Sequence, residues 1–392
     1  MRRISLYILK IMFLVGVVFS VSANEITAVW SRLYKSARIM EAKYSIMQSI
    51  VEQHDKNMVP VLTDALDELI VDIQNMNTST EWDIHNKLAG IILRELGSQR
   101  AGGAAYLVMR SVEVERNPYI IATAIMSLGK IGDKKYTSSL AEILRKINLH
   151  KTKTTGDEII AYGCVNALER LKDPAGFRMV FLASLSGYSP QRKVRKTARK
   201  ALVSMIEDPT EVLLDILKHD SSFPEKFAAI EVENASRASR ENKISLFIES
   251  LRLGLLYRKT DVVEKAKVNK VIIKSVQLLK KYRAGQREIV PMLKQIIKEN
   301  YDPNTTLSAI ETLGTNRTDE AAALLMDLYL LQMKKLEDGG IINRSKFMTT
   351  IIAMGNSGNK IMIIPLKSII SSRLAASGAK QAAREALKKI NQ

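Results

Sequence analysis

The sequence predicts an all-α superhelix assembled from about nine stacked helix pairs. Three observations carry that expectation: a short apolar phrase that recurs along the chain, the placement of the prolines, and a helix-favouring composition. The phrase is clearest at 122–133, where an apolar helix ends in Leu128-Gly129-Lys130-Ile131-Gly132-Asp133. Glycine just past a helix end supplies a left-handed cap, and an aspartate can start the next helix. A second helix is expected from Ser139 to Lys146, opened by a capping box, Ser139-Leu140-Ala141-Glu142.

Equivalents of Leu128 are Val51, Leu96, Leu168, Leu202, Asn234, Leu278, Leu313, Met354 and Leu387, spaced by 32 to 45 residues. That interval holds two helices and two turns. The intervals of 40 and more imply longer connections, expected around 150–157, 253–270 and 336–344. Five prolines follow a helix-capping residue: Pro118, Pro174, Pro190, Pro209 and Pro303. Three others, Pro60, Pro291 and Pro365, follow a β-branched residue where a second helix should begin. Proline at the first helical position loses no hydrogen bond, whereas in a helix interior it costs about 3 kcal/mol. Only Pro224 fits neither group. Hydrophobic residues are 46% of the 392 and aromatics only 6%, enough apolar surface for a continuous core. No segment shows the period-two alternation of a strand.

The two phrases Leu-Gly-x-Ile-Gly-Asp and Val-Pro-x-Leu together resemble HEAT-like repeats of the phycobilin-lyase type, over about residues 45–392. The resemblance implies a HEAT/armadillo-like α-α solenoid and says little about activity, because such repeats serve many binding proteins. One helix pair cannot bury both of its apolar faces, so the pairs must stack and the ends must be capped. The expected domains are a signal peptide at 1–23, an N-terminal capping helix at 24–53 and the repeat solenoid at 54–392. A lone helix at 379–390 should close the far end.

The signal peptide rests on Arg2 and Arg3, an uninterrupted apolar run at 11–19, and Val21-Ser22-Ala23 as a cleavage site. The run is too short to span a bilayer, and an uncleaved anchor is the alternative. Cleavage after Ala23 would remove Arg2, Arg3 and Lys10 and lower the net charge from +18 to +15. The mature chain would have no transmembrane span and would reside in the periplasm or cell envelope. Cys164 is the single cysteine, so no intramolecular disulfide is possible, and its apolar setting makes it a buried hydrophobe rather than a nucleophile.

Catalytic signatures are absent from the sequence. His54, His85, His150 and His219 share no helix at ligand spacing, so each is read as a surface or satisfied residue, and no metal, cofactor or catalytic residue is assigned. The di-iron deoxyhypusine hydroxylases, a HEAT-repeat enzyme class, resemble the expected fold but carry His-Glu pairs, which are missing here. The acids Asp64, Asp67, Glu68 and Asp72 form one helix face, read as solvated or as a docking patch. The more informative segment is basic. Val194, Ala198, Ala201, Leu202 and Met205 make a core-facing stripe, and the other side carries Arg192, Lys193, Arg195, Lys196, Arg199 and Lys200. Like charges four apart destabilise a helix by roughly 0.2–0.5 kcal/mol per pair, so either a neighbouring helix supplies acids or an anionic partner does. Further basic sets are Arg145 to Lys153, Lys265 to Lys274 and Lys280 to Arg287. The expected function is a non-catalytic extracytoplasmic scaffold that presents a basic surface to an acidic protein or an anionic envelope component. The alternative is a nucleic-acid-binding HEAT-repeat protein; the export signal and scarce aromatics argue against it.

Overall fold

The computed structural model describes residues 23–219, 222–257, 261–299 and 301–392; the leader expected at 1–23 lies, but for Ala23, outside them. The described residues form twenty α-helices and no strand. The chain divides into two compact units, Met1–Ile206 and Glu207–Gln392. In the first, the helices are α1 (Ala23–Ser36), α2 (Met40–Val51), α3 (Val59–Asp72), α4 (Ser79–Ser98), α5 (Ala105–Val114), α6 (Pro118–Ile131), α7 (Thr137–Leu149), α8 (Thr155–Leu171), α9 (Phe177–Leu185) and α10 (Val194–Ser204). The second holds α11 (Thr210–His219), α12 (Phe223–Ala235), α13 (Arg240–Leu256), α14 (Val262–Lys281), α15 (Ile289–Glu299), α16 (Pro303–Asn316), α17 (Asp319–Glu337), α18 (Arg344–Ser357), α19 (Ile363–Ser371) and α20 (Ser377–Asn391).

Each unit is a two-layered stack of five antiparallel pairs, with even-numbered helices packed on one another in one layer and odd-numbered helices in the other. The ten phrase positions fall one on each even-numbered helix, so ten pairs stand where their nine intervals suggested nine. Leu96, Leu128, Leu168, Leu202, Leu278, Leu313 and Met354 are all buried. The 24–53 stretch is two helices rather than one, broken at 37–39, and α2 packs on α4 as later even helices pack on theirs. Nor is the last helix alone, because α20 packs against α19 as well as α18. The extra length of the longer repeats goes largely into helix. Within 253–270, α13 runs on to Leu256 and α14 already begins at Val262.

The glycine of the phrase has a different role from the one its position suggested. Gly129 lies inside α6, and a Cβ there would sit 2.5 Å from the Ala167 Cα on α8. Gly314 approaches Ala353 of α18 (2.7 Å), and Gly355 approaches Ala386 of α20 (2.6 Å), in the same way. These glycines let successive even helices come into backbone contact. The left-handed turn is made three residues later, by Gly132 at φ 86°.

A positive φ closes six other even helices too: His54, Arg100, Lys172, Arg283 and Arg317 adopt it without being glycine, and Gly358 repeats Gly132. Where Asp or Asn follows, its side chain accepts the N–H two residues on and opens a 3-10 turn into the next helix: Asp55 to Asn57, Asp133 to Lys135, Asp173 to Ala175 and Asn359 to Ile361. This Asp133 turn, not a box at Ser139, starts α7 at Thr137. The capping boxes are instead Thr78–Glu81 on α4 and Thr154–Asp157 on α8. All nine prolines, Pro224 included, stand within the first three residues of a helix or 3-10 turn, or immediately before one.

The second unit buries one acid at a cost. Glu233 on α12 is fully buried and accepts a hydrogen bond from the Thr210 hydroxyl at 2.8 Å. Burial holds its carboxyl above the usual carboxylate range, overriding the hydrogen bond. A carboxyl raised in the fold contributes stability below its unfolded pKa and loses it as pH rises through the folded value. Glu233→Gln keeps the acceptor oxygen without the charge. Its melting temperature should therefore exceed that of the wild type at pH 8, and the gain should vanish below about pH 4. Thermal melts across that range check this, and a gain independent of pH would contradict it.

Candidate binding surface

The basic segment is assembled at the last pair of the first unit. Ser189 caps a 3-10 turn, Pro190–Arg192, by accepting the Gln191 N–H. The expected single helix from Pro190 is thus interrupted: Lys193 is left-handed (φ 60°) and α10 starts at Val194. Arg192 is not on the same helix as Lys196, which removes one of three like-charge pairs; its side chain lies outside the described residues. Arg195 with Arg199 and Lys196 with Lys200 remain at i,i+4 on α10. The apolar stripe behaves as expected, with Val194, Ala198, Ala201, Leu202 and Met205 all buried. Opposite it, Lys193, Arg195, Lys196, Arg199 and Lys200 line a surface concavity of about 700 Å³.

Lys193 is unusual in another way. Among the described residues every other non-glycine residue with positive φ closes an even-numbered helix, whereas Lys193 precedes one. A left-handed lysine costs about 1–2 kcal/mol relative to an ordinary conformation. Its side chain lines a second trough as well, of about 720 Å³, that crosses α4, α6 and α8. That trough holds Lys87 and Arg94 from α4, Tyr119 and Met126 from α6, and Tyr162 from α8. Sequence reading missed it, because its residues come from helices some thirty to forty positions apart and carry no local pattern.

The other charge clusters are partly paired internally. Asp64 pairs with Lys35 of α1 (3.1 Å), Asp67 with Arg110 of α5 (3.5 Å), and Glu68 with Lys43 of α2. Three of the four acids on the α3 face are therefore held in inter-helix ion pairs. Among the other basic sets, Arg145 bonds Glu142 (2.6 Å), Lys267 bonds Glu264 (2.6 Å), Arg287 meets Glu320 (3.5 Å), and Lys274 and Lys280 reach Glu231 and Glu311. By contrast Lys193, Arg195, Lys196, Arg199 and Lys200 have no ion-pair partner among the described residues. The neighbouring helix α8 does bring Glu169 to α10, but it accepts from the Ser204 hydroxyl (2.6 Å) rather than pairing with one of these five cations.

Each histidine meets an acid from another part of the chain or from its own helix: His54 with Glu95 (3.2 Å), His85 with Glu115 (2.9 Å), His150 with Asp157 (3.5 Å) and His219 with Asp215 (2.8 Å). His85 and Glu115 are buried, and His85 Nδ1 and Glu115 Oε2 have no hydrogen-bond partner, so this pair is only half satisfied. No cluster of three metal-ligating side chains occurs among the described residues. Cys164 is fully buried and its thiol is pushed up to about 12 by desolvation, which suppresses the reactive thiolate. Among the described residues no helix is long and apolar enough to cross a membrane.

No protein-family model and no curated protein matches the chain. Among solved structures it is similar to SYS-1, at 12% identity and a TM-score of 0.30, over 93% of this chain and 72% of that one. The SYS-1/POP-1 complex gives 12% identity and a TM-score of 0.33 over the same shares. Likeness that weak carries no functional information, and the assignment as an all-α solenoid rests on the paired helices themselves.

Proposed function

We propose that this protein is a non-catalytic binding scaffold of HEAT-like repeats of the phycobilin-lyase type. Its partner is an acidic protein or an anionic envelope component, met by the basic surface around α10. One observation carries the reading. Three of the four acids on the α3 face pair with neighbouring helices, and each of the other basic sets has members with carboxylate or backbone partners, but none of the five cations on and beside α10 has an ion pair among the described residues. Like charges held together without counter-charges attract an anion and lose that attraction to salt.

The reading includes export to the periplasm or cell envelope through the leader at 1–23. Cleavage after Ala23 would leave α1 whole from its second residue. Edman sequencing of the mature protein beginning at Asn24 is the result expected.

The binding test is a titration of the chain with fluorescent poly-glutamate. Saturable binding should weaken about tenfold or more between roughly 50 and 200 mM salt, as screening shortens the reach of exposed charges. Absence of binding at low salt, or binding indifferent to salt, contradicts the proposal. Preference for duplex DNA over poly-glutamate at equal charge would instead favour the nucleic-acid reading.

A further inference from the structure

We infer that the trough across α4, α6 and α8 is a docking groove for an extended, acidic polypeptide segment that carries one apolar anchor side chain. This rests on the reading of the α10 surface and specifies what that surface binds. The trough exists because of residue size at one register. Gly90 and Ala122 stand six residues before Leu96 and Leu128 on adjacent helices, where α8 carries Tyr162. Two small residues make a floor, and the third helix ends it with a ring. Tyr119 rises beside the floor and is 62% exposed, while Tyr162 is 38% exposed. Exposed aromatic rings flanking an apolar floor and Met126 offer contact area to an apolar side chain rather than to a bare anion.

The charge lining this groove is mainly positive. Lys87, Arg94 and Lys193 line it, and its one lining carboxylate, Glu158, is buried and accepts the Ser189 N–H at 2.5 Å. The Asn86 amide oxygen, also in the lining, is buried without a donor, as a peptide N–H would supply. Helices packed about 8–10 Å apart place the outer two about 20 Å from each other, which an extended chain spans in about six residues. Lys193 belongs to both concavities, so a segment leaving the groove runs directly onto the five cations of the α10 surface. A membrane surface or a free anion would use those cations without entering the groove.

The test uses the full chain and two labelled acidic decapeptides, one with a central tryptophan and one with alanine in its place. The tryptophan peptide should bind about tenfold tighter, the effect of burying one large side chain. Tyr119→Ala/Tyr162→Ala should abolish that preference and leave the alanine peptide's affinity within about twofold. Gly90→Leu, which fills the floor from a position where a Cβ has ordinary contacts (3.5 Å to Ile120), should do the same if the tyrosine variant is unstable. Equal affinities for the two peptides, or a preference that survives both variants, overturns the groove. If binding is equal but depends on the α10 cations, the groove fails and the basic surface stands. If neither peptide binds, both fail. A tyrosine-dependent preference for single-stranded nucleic acid over both peptides would overturn the polypeptide occupant.

Discussion

Replacing Gly129 by alanine should lower the stability of the first unit by about 2 kcal/mol, although the substitution improves helix propensity. Alanine in a helix interior gains about 1 kcal/mol over glycine. Against that, the new methyl would stand 2.5 Å from the Ala167 Cα and 2.9 Å from its Cβ. Backbone cannot swing aside as a long side chain can, so α6 and α8 must separate and lose packing along their length. Overpacking of this kind costs typically 1–3 kcal/mol, and a clash with backbone belongs at or beyond the upper end. At about 2–4 °C per kcal/mol for a unit of this size, the first melting transition should fall by roughly 4–8 °C. Gly378→Ala is the control, because nothing lies within 4 Å of a Cβ in the first turn of α20. That variant should melt at or above the wild-type temperature. A Gly129→Ala protein as stable as Gly378→Ala would contradict the close approach of the even helices.

Changing Arg195, Lys196, Arg199 and Lys200 together to glutamine should make the free protein slightly more stable and its binding far weaker. Two i,i+4 repulsions on α10 disappear, each worth roughly 0.2–0.5 kcal/mol, and glutamine is as good a helix former as lysine. None of the four side chains has an ion pair to lose among the described residues. The melting temperature should therefore hold or rise by a degree or two. Exposed pairs with an anionic partner contribute about 0.2–1 kcal/mol each, so losing four should weaken poly-glutamate binding about a hundredfold. A fall of several degrees would show that these cations support the fold, and the surface would then need no partner.

Much of the architecture was legible because burial imposes a period. The apolar phrase marks every even-numbered helix, even where α2 ends in Val51 and α12 carries Asn234 beside the buried Glu233. The prolines mark helix starts because their missing N–H leaves few other places for them. Glycine was harder to read, since Gly129 and Gly132 lie three residues apart in one phrase and answer different needs, close packing and left-handed φ. His54, Arg100, Lys172, Arg283 and Arg317 take the same left-handed turn with ordinary side chains, which composition does not reveal. The basic character of α10 was visible locally. Its lack of counter-charges was not, because the ion pairs that distinguish the α3 face join residues 25 to 43 positions apart, as Glu68 to Lys43 and Arg110 to Asp67 do. The same separation hid His85 and Glu115, and it hid the trough.

The most direct test of the account is the salt dependence of poly-glutamate binding, measured side by side for the wild type and the four-glutamine variant. Wild-type affinity should fall steeply with salt, and the variant should be about a hundredfold weaker at low salt and nearly insensitive to it. Superimposable curves for the two proteins would contradict the claim that the unpaired cations of α10 are the binding surface.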